Sequence, residues 1–155
     1  MTEGRIVGDV MAAVDFSDRS NDVAAEGVAL ARASGGTLHL LHVAAGEPVL
    51  AGYDKDDISS FTRTARAGEL TDEHRRLREL ADQLAEDGVS VRPLVLMGPT
   101  AQTILDAAVH LHVSHLVVGS HGHGGLHHLL VGSVAEEVVR RATVPVVLVP
   151  VRPAP

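Results

Sequence analysis

The sequence contains no cysteine and no tryptophan, and only one tyrosine and two phenylalanines. Without cysteine there is no disulfide, no thiolate metal ligand and no cysteine nucleophile, and the chain suits a reducing compartment. With aromatics at 2%, Phe16, Tyr53 and Phe61 offer no platform for stacking single-stranded bases. The core must come from Val, Leu, Ala and Ile. Positive charge is also short. Thirteen Lys and Arg stand against 20 Asp and Glu, a net charge of −7 with histidines neutral. Such a surface repels nucleic acid, anionic lipid and free ATP at long range. An anionic ligand would need local help from backbone N–H groups or a metal ion. Long apolar runs are missing too. Val144 to Val151 is broken by Pro145 and Pro150, and Met1 to Val10 lacks a signal-peptide core. A cytoplasmic protein with no membrane or nucleic-acid partner is expected.

What is present is a regular alternation within 155 residues, a length that suits one domain. Val10 to Val14, ending in Asp15, reads as a buried strand. Ser17, Asp18, Ser20 and Asn21 are N-cap types for a helix with the small-residue face Val23, Gly27, Leu30, Ala31 and Ser34. Gly35-Gly36 stops it. Thr37 to Val43 is a second strand, and Ala44 to Gly68 is the longest loop. Leu70, Leu77, Leu80, Ala81 and Leu84 mark an amphipathic helix ending at Gly88. The charges from Glu69 to Glu86 read as its solvated face. Val89 to Met97 is a third strand. A helix with Ala101, Ile104, Leu105 and Ala108 inward follows Thr100. His115 to Val118 is a fourth strand, closed by Gly119. Ser133 to Ala142 is the last helix and Val144 to Val149 the fifth strand, before a frayed tail from Pro150 to Pro155. The strands are continuous apolar runs, the mark of a parallel sheet covered by helices on both faces. The fold class is therefore α/β, a single doubly wound three-layer domain. In such sheets ligands lie beyond the carboxyl ends of the strands, where strand order reverses.

The segment Gly119-Ser120-His121-Gly122-His123-Gly124-Gly125-Leu126-His127-His128-Leu129-Leu130-Val131-Gly132-Ser133 leaves the fourth strand and enters a helix. Glycines let backbone N–H groups approach an anion, and a helix N-terminus presents unpaired donors and the positive end of the dipole. That is phosphate-binding chemistry. A plain connection remains open, because Ser133-Val134-Ala135-Glu136 has the form of a capping box and accounts for Ser133 without a ligand.

The spacing of Gly119, Gly122, Gly132 and Ser133 resembles the nucleotide loop of the universal stress protein family: Gly, two residues, Gly, nine residues, Gly, then Ser or Thr. Val14-Asp15-Phe16-Ser17, Leu41-His42-Val43, Gly98-Pro99 with Ile104 to Ala107, and Val144 to Val149 also resemble family segments, so the likeness covers nearly the whole chain. The resemblance implies a five-stranded parallel sheet in order 3-2-1-4-5, with Asp15 and Gly119 as neighbours at the switch point. It points to the ATP-binding subclass. Its implied base and ribose contacts are Ala13, Val14, Asp15 and Val43. Its implied phosphate contacts are Gly119, Gly122, Gly132, Ser133 and Val134, flanked by Val118 and His121. The ligand is expected to be ATP, or ADP or AMP, with Mg2+ as a companion. His123 and, approximately, His128 stand where many relatives carry Arg. A neutral imidazole is the weaker phosphate contact, so affinity is expected to rise between about pH 8 and pH 6.

Asp15 has two readings, a ribose or magnesium contact and a cap of the next turn. His39 and His42 read as satisfied core histidines. His121, His123, His127 and His128 form a cluster, but no acidic partner lies in the loop, so no native metal site is expected. A phosphoacceptor receiver domain is excluded by Met97-Gly98 and Val149-Pro150 at the ends of strands 3 and 5. A dinucleotide-binding enzyme is excluded by Asp15-Phe16 and His42-Val43 at the ends of strands 1 and 2. The single lysine, Lys55, lies in the long loop, which favours nucleotide binding over phosphoryl transfer. A slow ATPase or autokinase, and a non-nucleotide dimeric scaffold with a His-rich metal-binding loop, are the rival functions. The apolar strand Val146, Val147, Leu148 and Val149 falls at a sheet edge, where a homodimer is expected to form.

Overall fold

A computed structural model describes residues 8–44, 67–85, 88–121 and 131–150. The strands are β1 (Val10–Ala13), β2 (Leu38–Ala44), β3 (Val91–Met97), β4 (His115–Gly119) and β5 (Val146–Val149). The helices are α1 (Ser20–Ser34), α2 (Ala67–Ala85), α3 (Thr100–His110) and α4 (Ser133–Arg141). All five strands run parallel in the order β3-β2-β1-β4-β5, as the resemblance implied.

Strand alternation divides the core in two. Val10, Ala12, Val14, Leu38, Leu40 and Val117 pack against α1 and α2 through Val23, Ala24, Val28, Ala31, Leu77 and Ala81. Met11, Leu41, Leu116 and Val118 pack against α3 and α4 through Ala101, Ile104, Leu105, Ala108, Ala135 and Val138. Both faces of the central strands are covered, which is why they read as unbroken apolar runs. Gly27 on α1 is needed for closeness. A Cβ there would come within 2.9 Å of Leu38 Cδ1 and 3.0 Å of the Ala12 Cβ.

Several boundaries differ from the sequence reading. β3 begins at Val91 and β5 at Val146, because Val89 and Val144 precede the paired register. α2 begins at Ala67, and 45–66 lies outside the described residues. The N-cap of α1 is Arg19, with no side-chain cap bond, rather than Ser17, Asp18, Ser20 or Asn21. Ser17 still helps the approach to the helix: its hydroxyl accepts the Arg19 N–H at 3.3 Å and its carbonyl the Ser20 N–H at 3.0 Å. At the amino ends of the strands, Asp9 accepts the Thr37 N–H at 2.9 Å and lies 2.9 Å from His39 Nε2. The Asp9 main-chain carbonyl accepts from Ser114 N–H and Oγ, joining the two halves of the sheet.

Candidate functional site

The carboxyl ends of β1 and β4 meet where the strand order reverses. Their parallel register sets Val10 against His115, Met11 against Leu116 and Ala12 against Val117. Carried onward, it brings Ala13 level with Val118 and Val14 level with Gly119, which places the exit to Asp15 beside the start of the glycine segment.

The two ends of that segment are pinned together. Ser120 N–H donates to the Val149 carbonyl at 2.9 Å, so the β4–β5 ladder runs one residue past Gly119. The Ser120 carbonyl then accepts the Gly132 N–H at 2.6 Å. A Cβ on Gly132 would stand 3.2 Å from that carbonyl, so glycine lets the chain close at the base. Gly132 is the N-cap of α4, with φ −72° and ψ 163°, and among the described residues no side chain caps the helix. The capping box is therefore not formed. Ser133 is the first helical residue rather than the N-cap, and Glu136 lies 3.9 Å from Arg140. Ser133 and Val134 are exposed, and the first turn of α4 directs N–H donors past the end of β4.

The remaining expected contacts divide by face. Ala13 and Val43 are half-buried and pack on the α3–α4 side, the side of the α4 N-terminus. Val118, 4% exposed, is in the core of that side. Val14, 5% exposed, turns to the α1–α2 side. Its N–H donates to the Leu41 carbonyl at 2.8 Å and its own carbonyl accepts from His42 Nδ1 at 2.8 Å. Val14 thus frames the edge with its main chain. Gly119 is half-buried, and a Cβ on it would meet the His121 carbonyl at 3.3 Å. His121 is the last described residue before the loop, and Gly122, His123, His127 and His128 lie outside the described residues.

Asp15 is half-buried at the β1 exit. Its Oδ1 accepts the Ser17 N–H at 3.0 Å and the Ser20 hydroxyl at 3.4 Å, so it braces the turn into α1. Phe16 follows with φ 61°, the left-handed region that a bulky side chain enters only under strain, worth about 1–2 kcal/mol. Its ring lies 4.3 Å from the His42 ring, tilted by 40°, and the Arg76 guanidinium sits 4.3 Å above it. His42 Nε2 faces Glu73 Oε2 at 3.5 Å, and that oxygen is buried with no hydrogen-bond partner among the described residues. Sequence reasoning missed Phe16, Glu73, Arg76 and Ser120. Glu73 had a signal: it falls on the same helical stripe as Leu77 and Leu80, so it is an acid on the inner face rather than part of the solvated one. His39 and His42 are, as expected, buried and partnered.

The universal stress protein family model matches residues 7–150. The chain belongs to that family. Universal stress protein YxiE of Bacillus subtilis is 32% identical over 145 residues, covering 90% of this chain and 97% of the relative. Universal stress protein A homolog 1 of Coxiella burnetii is 31% identical over 141 residues, covering 90% and 94%. Among solved structures, MJ0577 of Methanocaldococcus jannaschii superposes with TM-score 0.76 at 22% identity, over 96% of this chain and 99% of that one. A universal stress protein in complex with cAMP gives TM-score 0.67 at 22% identity, covering 93% and 97%. One from Archaeoglobus fulgidus in complex with dAMP gives 0.65 at 21%, covering 92% and 98%. At these identities the structural likeness shows the fold. Among the described residues, no helix is long and apolar enough to cross a membrane, and no group of three or more His, Asp or Glu gathers around a metal position.

Proposed function

We propose that this protein is a regulatory module of the ATP-binding subclass. It holds ATP, or ADP or AMP, across the carboxyl ends of β1, β2 and β4. The observation that carries this reading is the pinned base of the glycine segment. The Gly132 N–H on the Ser120 carbonyl brings the uncapped first turn of α4 to the exit of β4, beside β1. Unpaired N–H donors and the helix dipole supply the local attraction that an anion needs against a net charge of −7. The cAMP and dAMP complexes of two fold relatives support an adenine nucleotide as the ligand class.

Ala13, Val43 and Asp15 would bound the base and ribose, with Val14 framing them. Gly119, Gly122, Gly132, Ser133 and Val134 would meet the phosphates, with Val118, His121 and His123 alongside. The exposed Ser133 hydroxyl and the carboxylate of Asp15 are the oxygen donors that suit a phosphate-bound Mg2+, which would neutralise phosphate charge. The cytoplasm is the proposed compartment.

The test is a nucleotide-binding isotherm for the native protein and for Gly122→Val. Valine should block close backbone approach and abolish binding while circular dichroism stays unchanged. Equal affinity in the two proteins would overturn the reading. ATP followed for hours with the protein should remain ATP, since the role proposed is binding rather than turnover. The isotherm repeated between about pH 8 and pH 6 should strengthen as His123 and His128 gain charge, and a flat series would remove them from the phosphate site.

A further inference from the structure

The polar contacts of His42 fix its chemistry. Val14 presents a carbonyl, which only accepts, so the Nδ1 that lies 2.8 Å away must carry a hydrogen. In the neutral ring the lone pair then falls on Nε2, which points at Glu73 Oε2. That oxygen is buried and has no other partner among the described residues. A proton in the gap, on either atom, satisfies both. The imidazole therefore reaches from α2, through Glu73, to the main chain at the β1 exit. Phe16 packs, tilted, against the same ring, and Asp15 lies between the two residues that the imidazole touches.

We propose that His42 is a positioning residue for the base end of the site. It braces the strained exit Val14-Asp15-Phe16 against α2, with Glu73 holding the ring in the Nδ1–H form. Among the described residues, the charged group facing the ring is Glu73 from α2; Arg76 of α2 lies over the Phe16 ring, Asp15 at the β1 exit accepts from Ser17 and Ser20, and the register partner on β3 is the apolar Val95. The brace maintains the turn in which Asp15 accepts the Ser17 N–H and the Ser20 hydroxyl. Its bearing on affinity rests on the nucleotide reading, but the brace itself does not.

The side chains available separate its two arms. Asparagine places an amide N–H near the position of Nδ1, so His42→Asn keeps the bond to Val14. His42→Leu fills the space and keeps no bond. Glu73→Gln can donate to Nε2 and keep the tautomer, whereas Glu73→Ala leaves Nε2 unpartnered. Nitrogen-15 spectra of the intact protein should show Nδ1 protonated in wild type and in Glu73→Gln. Hydrogen exchange of the Ser17 amide should quicken by about tenfold in His42→Leu and Glu73→Ala, and return towards wild type in His42→Asn and Glu73→Gln. ATP affinity should follow the same order, also by about tenfold. A ring protonated on Nε2 alone would overturn the proposal, and so would Ser17 exchange unchanged in Glu73→Ala. If no variant and no wild type binds ATP, the nucleotide reading fails while the exchange series still decides the brace.

Discussion

Asp9 accepts the Thr37 N–H and the His39 Nε2–H, and these two bonds, the backbone one foremost, hold its carboxyl below the usual carboxylate range. A folded-state value below the unfolded one adds stability above the unfolded value, and that stability disappears as pH falls through the folded value. Asp9→Asn should therefore cost stability at neutral pH and progressively less in acid. Its side chain is 39% exposed, so solvent screens the pair and the expected cost is about 1 kcal/mol. Urea melts of both proteins at neutral pH and near pH 3 check this, and an unchanged difference at the two values would exclude the ionised carboxylate as the cause. Gly132 gives a second test. With φ at −72° its backbone suits any residue, so glycine is required only by the 3.2 Å approach of a Cβ to the Ser120 carbonyl. Gly132→Val should open the base of the segment and weaken ATP by tenfold or more (about 1.4 kcal/mol), leaving the melting transition within a few degrees.

At the scale of elements, α1 owes its position to small residues. Gly27→Ala gains helix propensity of about 1 kcal/mol. It also drives a methyl to within 2.9 Å of Leu38 and 3.0 Å of Ala12, an overpacking that costs about 1–3 kcal/mol. Net destabilisation is expected in chemical melts, and a more stable variant would mean that α1 shifts freely on the sheet. This face was legible beforehand, since Val23, Gly27, Leu30, Ala31 and Ser34 recur at helical spacing and all but the half-buried Leu30 are buried. The strand order was legible through the family pattern, because apolar runs alone say parallel but not 3-2-1-4-5. The two ends of the loop, at Gly119 and Gly132, fall where the sequence put them, yet the capping-box reading of Ser133 did not hold. Sequence gives a capping-box spelling, and only the backbone at Gly132 decides which residue precedes the first helical turn. Phe16 was beyond reach for a similar reason, because nothing in its neighbours announces a positive φ. Of the two readings of Asp15, the structure bears out the turn cap, made through Oδ1, while the ribose or magnesium contact belongs to the proposed function.

For the whole molecule, β5 is a sheet edge whose four residues are all half-buried. A two-fold dimer through this edge is expected at micromolar concentration, and light scattering that returns the monomer mass would refute it. Leu148→Lys should shift the mass towards the monomer. Leu148 also packs against the α3–α4 core, so a melt must accompany the measurement to separate dissociation from unfolding. The place of β1 carries a different consequence. It sits at the centre of the sheet, and its two neighbours come from very different distances along the chain. β2 follows after one helix, but Asp9 and Ser114, which join β1 to β4, are 105 residues apart. A ribosome adding about 5–20 residues per second leaves one flank of the central strand without its partner for about 5–20 s. During that interval the first half of the sheet exposes an apolar, unpaired edge, so the crevice where the ligand is proposed to sit is among the last features of the nascent chain to exist.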